Sequence, residues 1–169
     1  MKTNKRLFPG LALALAGALS AGGASAAEEP MMVSVQRLSL ETAQRIAQAT
    51  VDACRERGIQ IGVTVVDRDG VVQTQSRDTI AAPITIPISA KKAYTAANFN
   101  AATSDLEPRA DSAVGRQDFL VMSAGGLPIQ VGGALVGGVG VSGAPAGETD
   151  EACAQAGLDA VQDDLEMAM

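Results

Sequence analysis

Residues Gly125–Pro145 read GGLPIQVGGALVGGVGVSGAP, and this stretch decides the fold class. Two apolar runs, Leu127–Val131 and Ala134–Val141, flank the pair Gly132-Gly133. A two-residue connection of the type that pairs strands tightly needs positive φ at both central positions, which glycine adopts without a Cβ penalty. The stretch therefore predicts a β-hairpin. Upstream, Ile59–Asp67 alternates with Ile59, Ile61, Val63 and Val65 on one face, Asp67-Arg68-Asp69-Gly70 turns the chain, and Val71–Ser76 returns it. Two hairpins separated by helical segments predict an α+β domain with an antiparallel sheet, not the alternating units of a doubly wound one.

The helices follow from period and punctuation. Ser39 is a good N-cap, and Leu40, Ala43, Ile46, Ala47, Val51 and Cys54 form one apolar stripe that Gly58 ends. Pro83 and Pro87 argue against a regular element through Ala81–Ile88, so Ser89 is expected to cap a second helix running to about Asn100. Ser104–Glu107 matches a capping box that Pro108 interrupts, which predicts a short or irregular helix. Thr149 is expected to cap a last helix that buries Ala152, Cys153, Ala156, Ala160, Val161 and Leu165. Ala27–Gln36 reads as a loose segment or a short pairing strand.

Lys2, Lys5 and Arg6 precede an apolar run, Leu7–Ser20, and Ala24-Ser25-Ala26 offers a small-x-small cleavage pattern. These features predict a signal peptide over residues 1–26 and a single domain over 27–169 in the periplasm or outside the cell. The run is too short for a spanning helix and is broken by Pro9-Gly10, so no membrane span is expected after cleavage. The net charge of −6 falls further once the three leading basic residues leave, which excludes a nucleic-acid partner held by a basic patch. The cysteines are two, Cys54 and Cys153. In an exported chain they either bridge or lie as separate buried thiols.

The chain contains no histidine, which removes serine or cysteine triads, ordinary zinc sites and a histidine ligand to heme iron. Gly138–Gly143 matches GxGxxG but lies in and after a hairpin strand, where glycines serve twist or close backbone approach. Asp67-x-Asp69-Gly70 lacks the later acidic ligands of a calcium loop and reads as turn chemistry. Asp163, Asp164 and Glu166 make a solvated acidic helix end, and Asp105, Glu107 and Asp118 cannot be paired from the sequence. No nucleophile stands beside a base, so no enzymatic activity is expected.

Lys91, Lys92 and Tyr94 carry the strongest binding signal. At a helix start, two lysines and free amides suit a carboxylate ligand, or else the lysines are simply solvated. Tyr94 either stacks on a flat ligand, ligates ferric iron as a phenolate, or simply packs with its hydroxyl at the rim.

The segments LSLETAQRIAQATVDACRERG, GVTVVDRDG and SAKKAYTAA, with the hairpin quoted above, resemble in order and spacing the GlcG/HbpS family of heme-binding proteins. The resemblance implies a profilin- or PAS-like α+β fold, with a central antiparallel sheet of about five strands and flanking helices. It also implies homo-oligomers, heme as a cofactor in some members, and exported sensors that work with a kinase. Carried over by position, Lys91, Lys92, Tyr94, Thr95, Met122, Gly125 and Gly126 border the ligand pocket. Without histidine, axial ligation falls to Tyr94, a lysine, Met122 or Thr95. The expected function is an exported heme carrier, scavenger or sensor accessory; the alternative is a module for another planar or acidic ligand. The scarcity of aromatic residues and the Gly/Ala-rich composition also predict close subunit packing.

Overall fold

The computed structural model describes residues 30–168; the expected signal peptide lies outside them. Residues 30–39 form no strand. Helix α1 (Leu40–Glu56) leads into strands β1 (Gly62–Asp67) and β2 (Val72–Arg77), and then helix α2 (Thr85–Phe99). A 3-10 turn at Glu107–Arg109 precedes β3 (Gly126–Val131), β4 (Ala134–Ser142), α3 (Gly147–Asp159) and α4 (Gln162–Met167). The sheet has four strands in the order β2-β1-β4-β3, every neighbouring pair antiparallel. The expectation of about five strands is corrected: among the described residues, Val35–Gln36 adds none. No helix among the described residues is long and apolar enough to cross a membrane.

Alternation along the strands divides the molecule into three layers. Val63, Val65, Leu127, Ile129, Val139 and Val141 join Ile46, Val51 and Leu158 of α1 and α3 in one buried core. The opposite face of the sheet lies under α2. There Gly138 and Gly140 carry no side chain, and a Cβ on Gly140 would stand 2.1 Å from the Ser89 carbonyl oxygen. A Cβ on Gly138 would stand 2.6 Å from the carbonyl oxygen of Ala93. The glycine-rich strand therefore lets helix backbone rest on sheet backbone, the close approach expected of it.

Several local expectations hold. The Ser39 hydroxyl accepts from Thr42 N at 3.1 Å and caps α1. Gly132 and Gly133 have φ of 55° and 81° at the hairpin tip. In the β1–β2 turn, Asp67 Oδ1 accepts from the amides of Asp69 (2.9 Å) and Val71 (3.0 Å), and Gly70 has φ +84°. Arg37 bonds to the carboxylates of both Asp67 and Asp69.

Two helix starts are corrected. Helix α2 begins at Thr85, not after Ser89, because Pro87 falls at its third residue, where a missing N–H has no intrahelical partner to lose. The amides of Thr85 and Ile86 donate instead to Ala82 and Pro83. Ser89 becomes an interior residue: it donates to the Ile86 carbonyl at 2.9 Å and pairs with Thr64 on β1 at 2.8 Å. Helix α3 begins at Gly147 with no side-chain cap, and Thr149 lies within its first turn. The β4–α3 connection is closed by Asp150, whose Oδ1 accepts from Ala144 N at 2.9 Å.

The expected last helix also divides at Ala160-Val161 into α3 and α4. Its buried side keeps Cys153 and Val161 but adds Ala154, Gly157 and Leu158, while Ala160 faces solvent. Gly157 lets α1 and α3 cross closely, since a Cβ there would stand 1.9 Å from Thr50 Oγ1. Cys54 and Cys153 are bridged across these two helices, and neither is exposed. The alternative of two separate thiols is thereby closed.

Candidate functional site

The expected site residues lie along α2 and on the segment that leads from the 3-10 turn into β3. Because α2 begins at Thr85, Lys91 and Lys92 stand nearly two turns inside it. The expected anion site of two lysines beside free helix-start amides is therefore not formed. The two lysines also part company. Lys91 is exposed, whereas Lys92 is 4% exposed and its Nζ donates to Asp150 Oδ2 at 3.1 Å. This pair ties α2 to the first turn of α3, and each charge needs the other, since neither is solvated. Gly125, with φ +120°, packs against it: a Cβ there would stand 2.6 Å from Lys92 Nζ.

Thr95, Gly125 and Gly126 belong to one system of internal bonds. The buried Thr95 hydroxyl donates to the Lys91 carbonyl (2.7 Å) and accepts from Val121 N (3.0 Å). Glu107 Oε1 accepts from Ala124 N (2.9 Å), Glu151 Oε2 from Gly125 N (3.1 Å), and Thr103 Oγ1 from Gly126 N (2.8 Å). Side chains from three regions thus satisfy amides along the entry into edge strand β3, where β4 pairs on one side alone. Met122 is buried in an apolar cluster with Leu106 and Leu120.

Tyr94 is different. It is half-buried on the edge of the Met122 cluster, and its ring meets Phe119 edge-on, with centroids 5.9 Å apart and planes at 84°. Phe99 packs against the same cluster, with the Arg109 guanidinium 5.3 Å from its ring centroid. All three aromatic residues of the described chain therefore gather in one place, and Phe119 is 54% exposed. Among the described residues the Tyr94 hydroxyl makes no hydrogen bond. Lys91 lies three residues earlier on the same helix and shares its face.

Two clefts lie away from Tyr94. One, of about 510 Å³, is bounded by Gln60, Ile80, Ile84, Ser142 and Asp150; the other, of about 340 Å³, by Arg37, Leu38, Val131 and Leu165. Among the described residues no group of three or more acidic, cysteine or histidine side chains could hold a metal ion. Asp163, Asp164 and Glu166 are spread on α4, where Asp164 pairs with Arg45 at 2.7 Å.

Sequence reasoning missed Phe119, Asp150, Glu107 and Glu151 as parts of this region. Scarcity was the available signal for Phe119: few aromatic residues had to serve any flat ligand. Asp150 is 58 residues from its lysine, beyond any local pattern.

A family model described as haem-degrading protein, HbpS-like, matches residues 38–159, from just before α1 to the end of α3. The chain belongs to the HbpS-like family. Among solved structures, a double mutant of Streptomyces reticuli HbpS is 37% identical, with a TM-score of 0.73 over 79% of this chain and 93% of that one. The Klebsiella pneumoniae protein ORFY is 27% identical, with a TM-score of 0.74 over 79% of this chain and 97% of that one. A heme complex of PduOC is 26% identical, with a TM-score of 0.69 over 74% of this chain and 95% of that one. The HbpS-like match takes in every sheet strand, the Lys92–Asp150 pair and the aromatic cluster.

Proposed function

We propose that this HbpS-like protein binds heme on the face formed by Tyr94, Phe119 and Lys91, and acts outside the cytoplasm as a carrier, scavenger or sensor accessory rather than as an enzyme. The observation that carries the reading is the Tyr94 hydroxyl, free of hydrogen bonds among the described residues, at the edge of the chain's gathered aromatic residues. The heme complex of a structural relative supports the choice of ligand.

The donor set of this chain fits heme in a restricted way. Met122 is buried in an apolar cluster, Thr95 spends its hydroxyl on two internal bonds, and Lys92 is held by Asp150. Tyr94 remains as the oxygen ligand, and Lys91 remains to meet a propionate. Bound heme would supply a ferric iron that a phenolate can ligate. The protein's part is to hold the phenolic oxygen on a fixed helix, place Phe119 against the ring and keep one ammonium in reach.

Export is supported by the leading basic and apolar segments and by the buried Cys54–Cys153 bridge, which suits an oxidising compartment. Self-association is supported by the exposed Ile80, Ile84, Val71 and Val72, and a sensor-kinase partner by the family resemblance. The lack of histidine favours a second reading, in which the same face takes another flat, acidic ligand.

Hemin titration of residues 27–169, followed at the Soret band, tests the proposal. A saturable, shifted band at one heme per subunit or per pair is expected. Tyr94→Phe should alter the ligation spectrum, and Lys91→Ala should weaken binding by roughly tenfold or less, as suits one exposed ion pair. A spectrum equal to that of free hemin would turn the reading toward the second ligand class.

A further inference from the structure

The β1–β2 turn does more than reverse the chain. Gly70 sits directly over the Tyr94–Asn98 step of α2: a Cβ at position 70 would stand 2.6 Å from Tyr94 Cδ2 and 2.8 Å from both Tyr94 Cε2 and Asn98 Nδ2. Asn98 Nδ2 in turn donates to the Tyr94 carbonyl at 2.9 Å. Turn geometry alone asks for a glycine at φ +84°, but it does not ask that an aromatic ring lie against it.

The turn is also fixed from behind. Asp67 is 7% exposed, accepts two amides within the turn, and shares Arg37 with Asp69. Arg37 belongs to the segment ahead of α1, so the clamp joins chain regions thirty residues apart. Phe119 meets Tyr94 edge-on. The ring is thus held by the turn and by Phe119, and its remaining surface is what a ligand meets.

We propose that Gly70 and the Arg37–Asp67–Asp69 clamp are positioning residues that set the orientation of the Tyr94 ring for its ligand. This rests on the heme reading above and adds a device that the reading does not need. A ring fixed before binding loses little freedom on contact, which raises affinity without a new bond.

The chain holds one tyrosine and no tryptophan, so the tyrosine bands of near-ultraviolet circular dichroism and fluorescence report Tyr94 alone. The experiment uses residues 27–169 without ligand and then with hemin. Gly70→Ala places a methyl group against the ring, and Arg37→Ala loosens the turn while keeping the glycine. Both should change the tyrosine signal of the ligand-free protein while the far-ultraviolet spectrum stays native. Gly70→Ala should weaken hemin binding by about tenfold and Arg37→Ala by less. In a Tyr94→Leu background, Gly70→Ala should bring no further loss, which a merely structural role would not produce.

An unchanged tyrosine signal, wild-type hemin affinity in both variants, or additive losses with Tyr94→Leu would each overturn the proposal. Should Gly70→Ala not fold, Arg37→Ala carries the test by itself. Failure of the wild-type protein to bind hemin would overturn the heme reading and this assignment together. Saturable wild-type binding with insensitive variants would overturn the assignment alone.

Discussion

Asp78 lies just past the end of β2 with its side chain 2% exposed, and Arg55 on α1 donates to both of its oxygens, at 2.7 and 2.9 Å. Those bonds, with a further one from Thr79 N, hold the carboxyl at about 2, below its ordinary 3.8. A carboxyl whose folded value is depressed stabilises the fold fully above its unfolded value and loses that contribution as the pH falls through the folded one. Acid unfolding followed by circular dichroism should therefore show this pair's contribution intact above about pH 4 and lost towards pH 2. Asp78→Asn should flatten stability across that window, and an unchanged acid profile would show that the pair contributes nothing. Lys92 and Asp150 form the more deeply buried ion pair, and removing either side chain would leave the other charge buried without a partner.

At the scale of elements, the contact between α2 and β4 leaves no space for added atoms. A Cβ at Gly140 would stand 2.1 Å from the Ser89 oxygen and 2.4 Å from Ala93 N, and both obstacles are backbone. Gly140→Ala should cost about 3 kcal/mol or prevent folding, at or beyond the upper end of ordinary overpacking. Gly133→Ala meets no atom within 4 Å and bears only the penalty of its φ of +81°, about 1–2 kcal/mol. Urea unfolding of the two variants checks the contrast, and equal costs would show that the helix yields.

The hairpins and α1 were readable because Gly132-Gly133, the alternation of Val63 and Val65, and the Ser39 cap are local signals. The start of α2 was not, because Pro87 reads as a breaker unless its place in the first turn is known. In the same way Lys91 and Tyr94 were visible as neighbours on one helix. Phe119 reaches Tyr94 from an irregular segment with no period to read. The Lys92–Asp150 pair exists only once α2 and α3 are packed.

For the whole molecule, the Cys54–Cys153 bridge closes a span of 99 residues that holds all four strands. Chain-entropy reasoning assigns such a loop about 4–5 kcal/mol, acting on the unfolded state. Reduction, or Cys54→Ala with Cys153→Ala, should lower the urea midpoint markedly while the native spectrum survives. An unchanged midpoint would show that the reduced chain keeps its ends together when unfolded.

The backbone contact between α2 and β4 also limits how the helix can move. A helix seated on side chains can slide or roll as those side chains repack, and many receptors relay occupancy in that way. Here Ser89 and Ala93 rest on backbone at Gly140, beside a patch where Ala93 and Ala97 pack on Val66, so α2 has little room to slip. News of a ligand at Tyr94 would then pass to the ring's other neighbours, the Gly70 turn and Phe119, leaving the helix still as an anvil.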